Sequence, residues 1–119
     1  MSRRMTELRP GAIERAIALL GWDEGDVEIA ESFFDRLGGL VARSPFTSSG
    51  EPRVLAFPAC DAVHTCFMRY PIDVAFIDAR GSVLVVYQGV APWRFLSHPG
   101  AAAVLERPSV LTGGPLCFA

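Results

Sequence analysis

Six residues, Ile72-Asp73-Val74-Ala75-Phe76-Ile77, place Ile72, Val74 and Phe76 on one side of an extended chain. The next four, Asp78-Ala79-Arg80-Gly81, carry turn chemistry, with Gly81 able to take a positive φ. Ser82 to Gln88 follows as a near-continuous apolar run. Two such runs joined by a short turn predict an antiparallel hairpin, and that hairpin makes the chain strand-rich.

The remaining segments are read around it. Residues 10–20 predict an amphipathic helix, with Pro10 in its first turn, Ile13, Ala16, Ile17 and Leu20 on one face, and Gly21 as its stop. Val27 and Ile29 alternate with Asp26 and Glu28, the pattern of a short half-buried strand. A second helical pattern covers about 31–41, with Phe33, Leu37, Leu40 and Val41 on one face and Gly38-Gly39 ending or bending it. Residues 43–53 form a loop. Val54 to Phe57 is a short strand closed by Pro58, and Gly89 to Pro92 breaks the hairpin's second strand. Ala101 to Glu106 reads as strand, ended by Pro108. Residues 1–22 are a helical extension and 23–119 a single β-rich domain, as expected for 119 residues.

Composition removes several classes of function. The net charge of −2 supplies no field for a phosphate backbone, so no nucleic-acid partner is expected. All eleven basic residues are arginine, which excludes a P-loop lysine and Schiff-base chemistry. Asparagine is missing too, so N-linked glycosylation and an asparagine-oriented Cys–His pair are excluded. Three cysteines, Cys60, Cys66 and Cys117, imply reduced thiols and a cytoplasmic location rather than a disulfide framework. Runs such as Val83 to Tyr87 are too short to cross a bilayer, so no membrane partner is expected.

Several spaced motifs then agree at once. Ala30-Glu31-Ser32-Phe33-Phe34-Asp35-Arg36-Leu37-Gly38-Gly39-Leu40 opens the match. The run from Val63 to Asp78, with His64-Thr65, Met68, Pro71-Ile72-Asp73 and Phe76 at their spacing, is its centre. Pro92-Trp93-Arg94 and Ala103-Val104-Leu105-Glu106 follow in order. Over about residues 26–107 the chain resembles the domain of unknown function 192 family. The resemblance implies a mainly β (α+β) fold: a small antiparallel β sandwich or barrel with one or two peripheral helices. It implies no reaction. Residues 1–22 lie outside the family core, and 107–119 depart from its usual closure.

Candidate chemistry gathers in the same region. Cys60, His64 and Cys66 are metal-ligand types, with only Asp61 near enough to complete a set, but no Cys-x-x-Cys pair is present. Cys66 and His64 also have the types of a nucleophile and base, without an orienting group in the sequence. Asp73 in an apolar strand needs compensation. It is read either as a pocket acid close to Arg69 or Arg94, or as an anchor for backbone N–H groups of the turn from Thr65 to Met68. In the second case Thr65 and Met68 are packing and turn residues. Trp93-Arg94 sets a flat aromatic beside a forked cation, suited to a carboxylate, a phosphate or a partner protein. Asp78 reads as a turn former, and His98 as a loop residue without a visible partner.

The expectation is a non-catalytic ligand- or protein-binding accessory module, monomeric or weakly dimeric, without a cofactor, whose partner is a small molecule or a protein. Its candidate contact residues are His64, Thr65, Met68, Arg69, Asp73, Trp93 and Arg94. The alternatives are a small hydrolase with a pocket around Asp73, His64 and Arg94, and a metal-binding domain using Cys60, His64 and Cys66.

Overall fold

The computed structural model describes residues 8–22, 27–29, 50, 52–66 and 68–109. The expected helix over 31–41, most of the 43–53 loop, Cys117 and the segment after 109 lie outside the described residues.

Strand β1 (Val27–Ile29) pairs in parallel with β2 (Val54–Pro58). Strand β2 is antiparallel to β7 (Ala103–Pro108), which is antiparallel to β4 (Ile72–Ile77), and β4 pairs with β5 (Val83–Val90). These give a five-stranded sheet in the order β1-β2-β7-β4-β5. A separate two-stranded ribbon joins β3 (Ala62–His64) to β6 (Phe95–Ser97). The expected hairpin is therefore present as β4–β5, and the architecture is mainly β and sandwich-like rather than a closed barrel.

Strand β4 is the centre of the molecule. All six of its residues are buried, because β5 and β7 pair with its edges and a layer covers each face. On one face Ile72, Val74 and Phe76 pack with Leu55, Phe57 and Val104 beneath Val63 and Met68. The other face presents Ala56, Ala75 and Ala103, small residues that let helix α1 (Ala12–Leu20) approach and bury Ala16 and Ile17. Each face is close-packed, so truncating a side chain such as Phe76 removes about 3–5 kcal/mol.

Helix α1 starts later than expected. Gly11, in the left-handed conformation, makes the entry, and Pro10 lies before it. At the other end the N–H groups of Gly21 and Trp22 donate to the carbonyls of Ala18 and Ile17, satisfying two terminal acceptors and turning Trp22 into the core.

Two strand expectations are corrected. Strand β1 exists, but Val27 and Ile29 are exposed and neither joins the core groups. It is an edge strand, and its half-buried residue is Glu28, held by Arg53 at 3.3 Å. Strand β5 does not break at Gly89 but runs on to Val90. Gly89 takes φ +63 in an irregularity of the β4–β5 ladder opposite Asp73, where glycine carries no Cβ penalty. Strand β7 begins at Ala103, two residues after the expected start, and ends at Pro108 as expected, with Pro108 still paired with Ile72.

Candidate functional site

Thr65 organises one end of the ribbon. It is fully buried, its Oγ1 donates to the Ala91 carbonyl at 2.8 Å, and the same oxygen accepts the Arg94 N–H at 2.8 Å. Its backbone N–H donates to the Arg94 carbonyl, and its carbonyl accepts from both Met68 and Trp93. One residue thus clamps the 65–68 turn to the 91–94 loop. Met68 is buried in the core below them.

That clamp holds an unusual backbone. Trp93 sits at φ +66, a region that disfavours a bulky side chain, and it persists only because the surrounding hydrogen bonds fix it. Trp93 is 60% exposed, and Phe95, which begins β6, is 72% exposed. In the ribbon register His64 lies opposite Phe95, so both occupy the outward face, while Val63 and Leu96 form the inward one. Arg94 and Arg69 are exposed at the same end. His64 Nδ1 accepts the Cys66 N–H at 3.2 Å, which leaves Nε2 as its other hydrogen-bonding atom.

Asp73 belongs elsewhere. It lies on the helix-side face of the sheet, with Oδ1 accepting the Gly89 N–H at 2.9 Å and Oδ2 accepting from Arg107 Nε at 3.1 Å. Neither expected partner set, Arg69 or Arg94 on one hand and the Thr65–Met68 turn on the other, contacts it in these bonds. The sheet itself separates Asp73 from the ribbon that carries His64, so Asp73, His64 and Arg94 form no common pocket. A hydrolase triad on these three residues is thereby corrected.

Cys60, His64 and Cys66 do not converge either: among the described residues no three His, Cys, Asp or Glu side chains are placed to share a metal ion. Cys60 Sγ donates to the Ala62 carbonyl at 3.1 Å instead. Asp78 is the turn former expected, its Oδ1 accepting the N–H groups of Arg80 and Ser82. His98 has a partner the sequence hid: its ring lies 5.9 Å from that of Phe76.

Sequence reasoning missed four residues. Phe95 was overlooked because aromatics default to the core, although its place directly after Trp93-Arg94 was a usable signal. Arg107 opens the 107–119 segment that departs from the family's usual closure, and it meets Asp73 only across 34 residues of chain. Glu106 is buried and Tyr70 half-buried, its hydroxyl enclosed, on the ribbon side of the sheet. The Tyr70 phenol is pushed up from its ordinary value of 10.0, first by burial and then by the charge of Glu106.

Comparison with known proteins fits this geometry. A UPF0127 protein of Pyrococcus horikoshii is 35% identical over 95 residues, covering 75% of this chain and 76% of its own. A second, from Pyrococcus abyssi, is 35% identical over 91 residues, covering 71% and 73%. The crystal structure of a protein of unknown function from Novosphingobium aromaticivorans superimposes with a TM-score of 0.59 at 20% identity, over 73% of this chain and 65% of that one. The likeness to that structure concerns the fold alone. The DUF192 family model, described as an uncharacterised ACR, matches residues 19–112, which take in the sheet, the ribbon and the Thr65 clamp, and the chain belongs to that family.

Proposed function

We propose that this protein is a non-catalytic binding module that docks a protein segment on the surface formed by His64, Arg69, Trp93, Arg94 and Phe95. The observation that carries the reading is the Thr65 clamp: a buried hydroxyl and backbone network spends its hydrogen bonds on holding Trp93 at positive φ, beside an exposed Phe95. Two large aromatics held outward on a rigid frame are the anchors an interface core uses. Strain kept at a surface loop also points to function rather than packing.

The rest of the molecule supports a small, mostly monomeric module. The outer strand β5 carries no charge, but two irregularities disturb its ladder with β4, a device that discourages edge-to-edge association beyond a weak dimer. Free Cys60 and Cys66 suit the reducing cytoplasm.

A display selection tests the reading. Random peptides are selected on the immobilised protein and counter-screened on a Trp93→Ala/Phe95→Ala double variant. Enriched peptides are expected to lose roughly tenfold or more in affinity on the variant. A selection that enriches nothing, or peptides that bind both proteins equally, overturns it.

A further inference from the structure

From the distribution of charge around this surface we infer that its partner is an acidic polypeptide segment carrying apolar side chains; the inference rests on the binding-surface reading above. The chain has 13 acidic residues and a net charge of −2, yet residues 62–72 and 79–105 contain no Asp or Glu at all. Those two stretches build the ribbon, the clamp and the outer strand. The three acids that follow Asp61 are withdrawn from the surface chemistry. Asp73 is buried against Arg107, Asp78 caps its own turn, and Glu106 is buried in the sheet. Asp61 itself stands at the far end of the ribbon, where its carbonyl accepts the His98 N–H.

The cations at the near end are accordingly uncompensated. Arg69 and Arg94 are exposed, and neither has a carboxylate partner among the described residues. Two guanidiniums at the same end as Trp93 and Phe95 match a carboxylate followed by an apolar side chain, because each fork can donate bidentately to a carboxylate while the rings take the apolar group. A nucleic acid fits less well. It needs a track of several cations to release counterions, which two arginines do not supply. An anionic membrane makes the same demand for many cations.

The test uses a short fluorescein-labelled peptide alternating glutamate with leucine and phenylalanine, and its glutamine counterpart, read by anisotropy. Parallel titrations use a labelled oligothymidine and vesicles containing phosphatidylserine. At low ionic strength the glutamate peptide is expected to bind about tenfold more tightly than the glutamine peptide, the scale of two or three exposed ion pairs. At about 0.15 M salt that advantage shrinks. An Arg69→Gln/Arg94→Gln variant, whose altered side chains are exposed and hold no ion pair among the described residues, keeps its melting temperature and loses the advantage. Equal binding of the two peptides overturns the acidic assignment, as does tighter binding of the oligothymidine or the vesicles. Failure of both peptides overturns it too, while the display selection, which presumes no charge, decides the underlying surface reading separately.

Discussion

Arg107 Nε donates to Asp73 Oδ2 at 3.1 Å across the β4–β7 ladder, and the same guanidinium lies 4.6 Å from the centroid of the Trp22 ring. Asp73 and Arg107 are direct cross-strand partners, so their side chains share the helix-side face. Asp73 is fully buried, and its second oxygen is occupied by the Gly89 N–H. Helix exit, central strand, outer strand and last strand are thus tied together by one carboxylate and one guanidinium.

Breaking that pair from one side leaves a buried charge uncompensated. Asp73→Ala is expected to cost about 3–5 kcal/mol, because Arg107 keeps its charge and the Gly89 N–H loses its acceptor. Arg107→Met, which keeps a side chain over Trp22, is expected to cost a similar amount by stranding Asp73. The double variant should lose less than the sum of the two. Denaturant unfolding of all four proteins reads the coupling, and additive losses would show that the two residues act independently.

Thr65→Val keeps the shape of the side chain and removes its hydroxyl. The Arg94 N–H and Ala91 carbonyl both lose a partner in a buried site, for an expected cost of about 1–3 kcal/mol. The sharper readout is local. Amide exchange at Arg94 should accelerate far more than exchange in β4, and peptide affinity at the Trp93–Phe95 surface should fall with it. Uniform acceleration throughout the sheet would mean that Thr65 supports the core rather than the loop.

The parts of this fold that follow from neighbouring residues were legible. The alternation in 72–77, the turn residues Asp78 and Gly81 and the apolar run after them specify the β4–β5 hairpin without any distant information. Asp73 was recognisable as a problem, since a carboxylate in an apolar strand needs a partner. The partner was not recognisable, because Arg107 lies 34 residues away and meets it only through strand order. The same reason hides the ring contact of His98 with Phe76. At the surface, Trp93-Arg94 stood out by composition. The Thr65 clamp that holds it rests on a contact spanning 29 residues, which residue types alone do not fix.

Tyr70 makes the fold sensitive to alkali. Its hydroxyl is buried without a hydrogen-bond partner among the described residues, and burial together with Glu106 raises its pKa above 10.0. The folded state therefore holds the phenolic proton more tightly than the unfolded chain does. The stabilisation is intact below pH 10.0 and is lost as pH rises through the folded value. Tyr70→Phe removes the ionisable group and an unpaired polar atom, so it is expected to leave stability at neutral pH unchanged or raise it by up to about 1 kcal/mol. Melting temperatures measured from neutral to strongly alkaline pH should fall less steeply for the variant. Parallel curves would show that Tyr70 does not titrate with unfolding.

Gly81 links the hairpin turn to the helix, and a pair of alanine substitutions separates the two things glycine does there. Gly81 has φ +93 and Gly21 has φ +74, so alanine at either position incurs the left-handed penalty of about 1–2 kcal/mol. Around Gly21 there is open space, whereas a Cβ on Gly81 would collide with the Ala12 carbonyl oxygen. That oxygen belongs to the backbone of α1 and cannot swing aside. The chain before α1 is also tied to the turn, through the Arg9 N–H on the Ala79 carbonyl at 2.8 Å. Gly81→Ala must then push helix and turn apart, and is expected to lower the melting temperature well beyond Gly21→Ala. The excess measures how firmly α1 is seated on the hairpin; equal losses would mean that the close approach of Gly81 to Ala12 contributes nothing to holding the helix on the sheet.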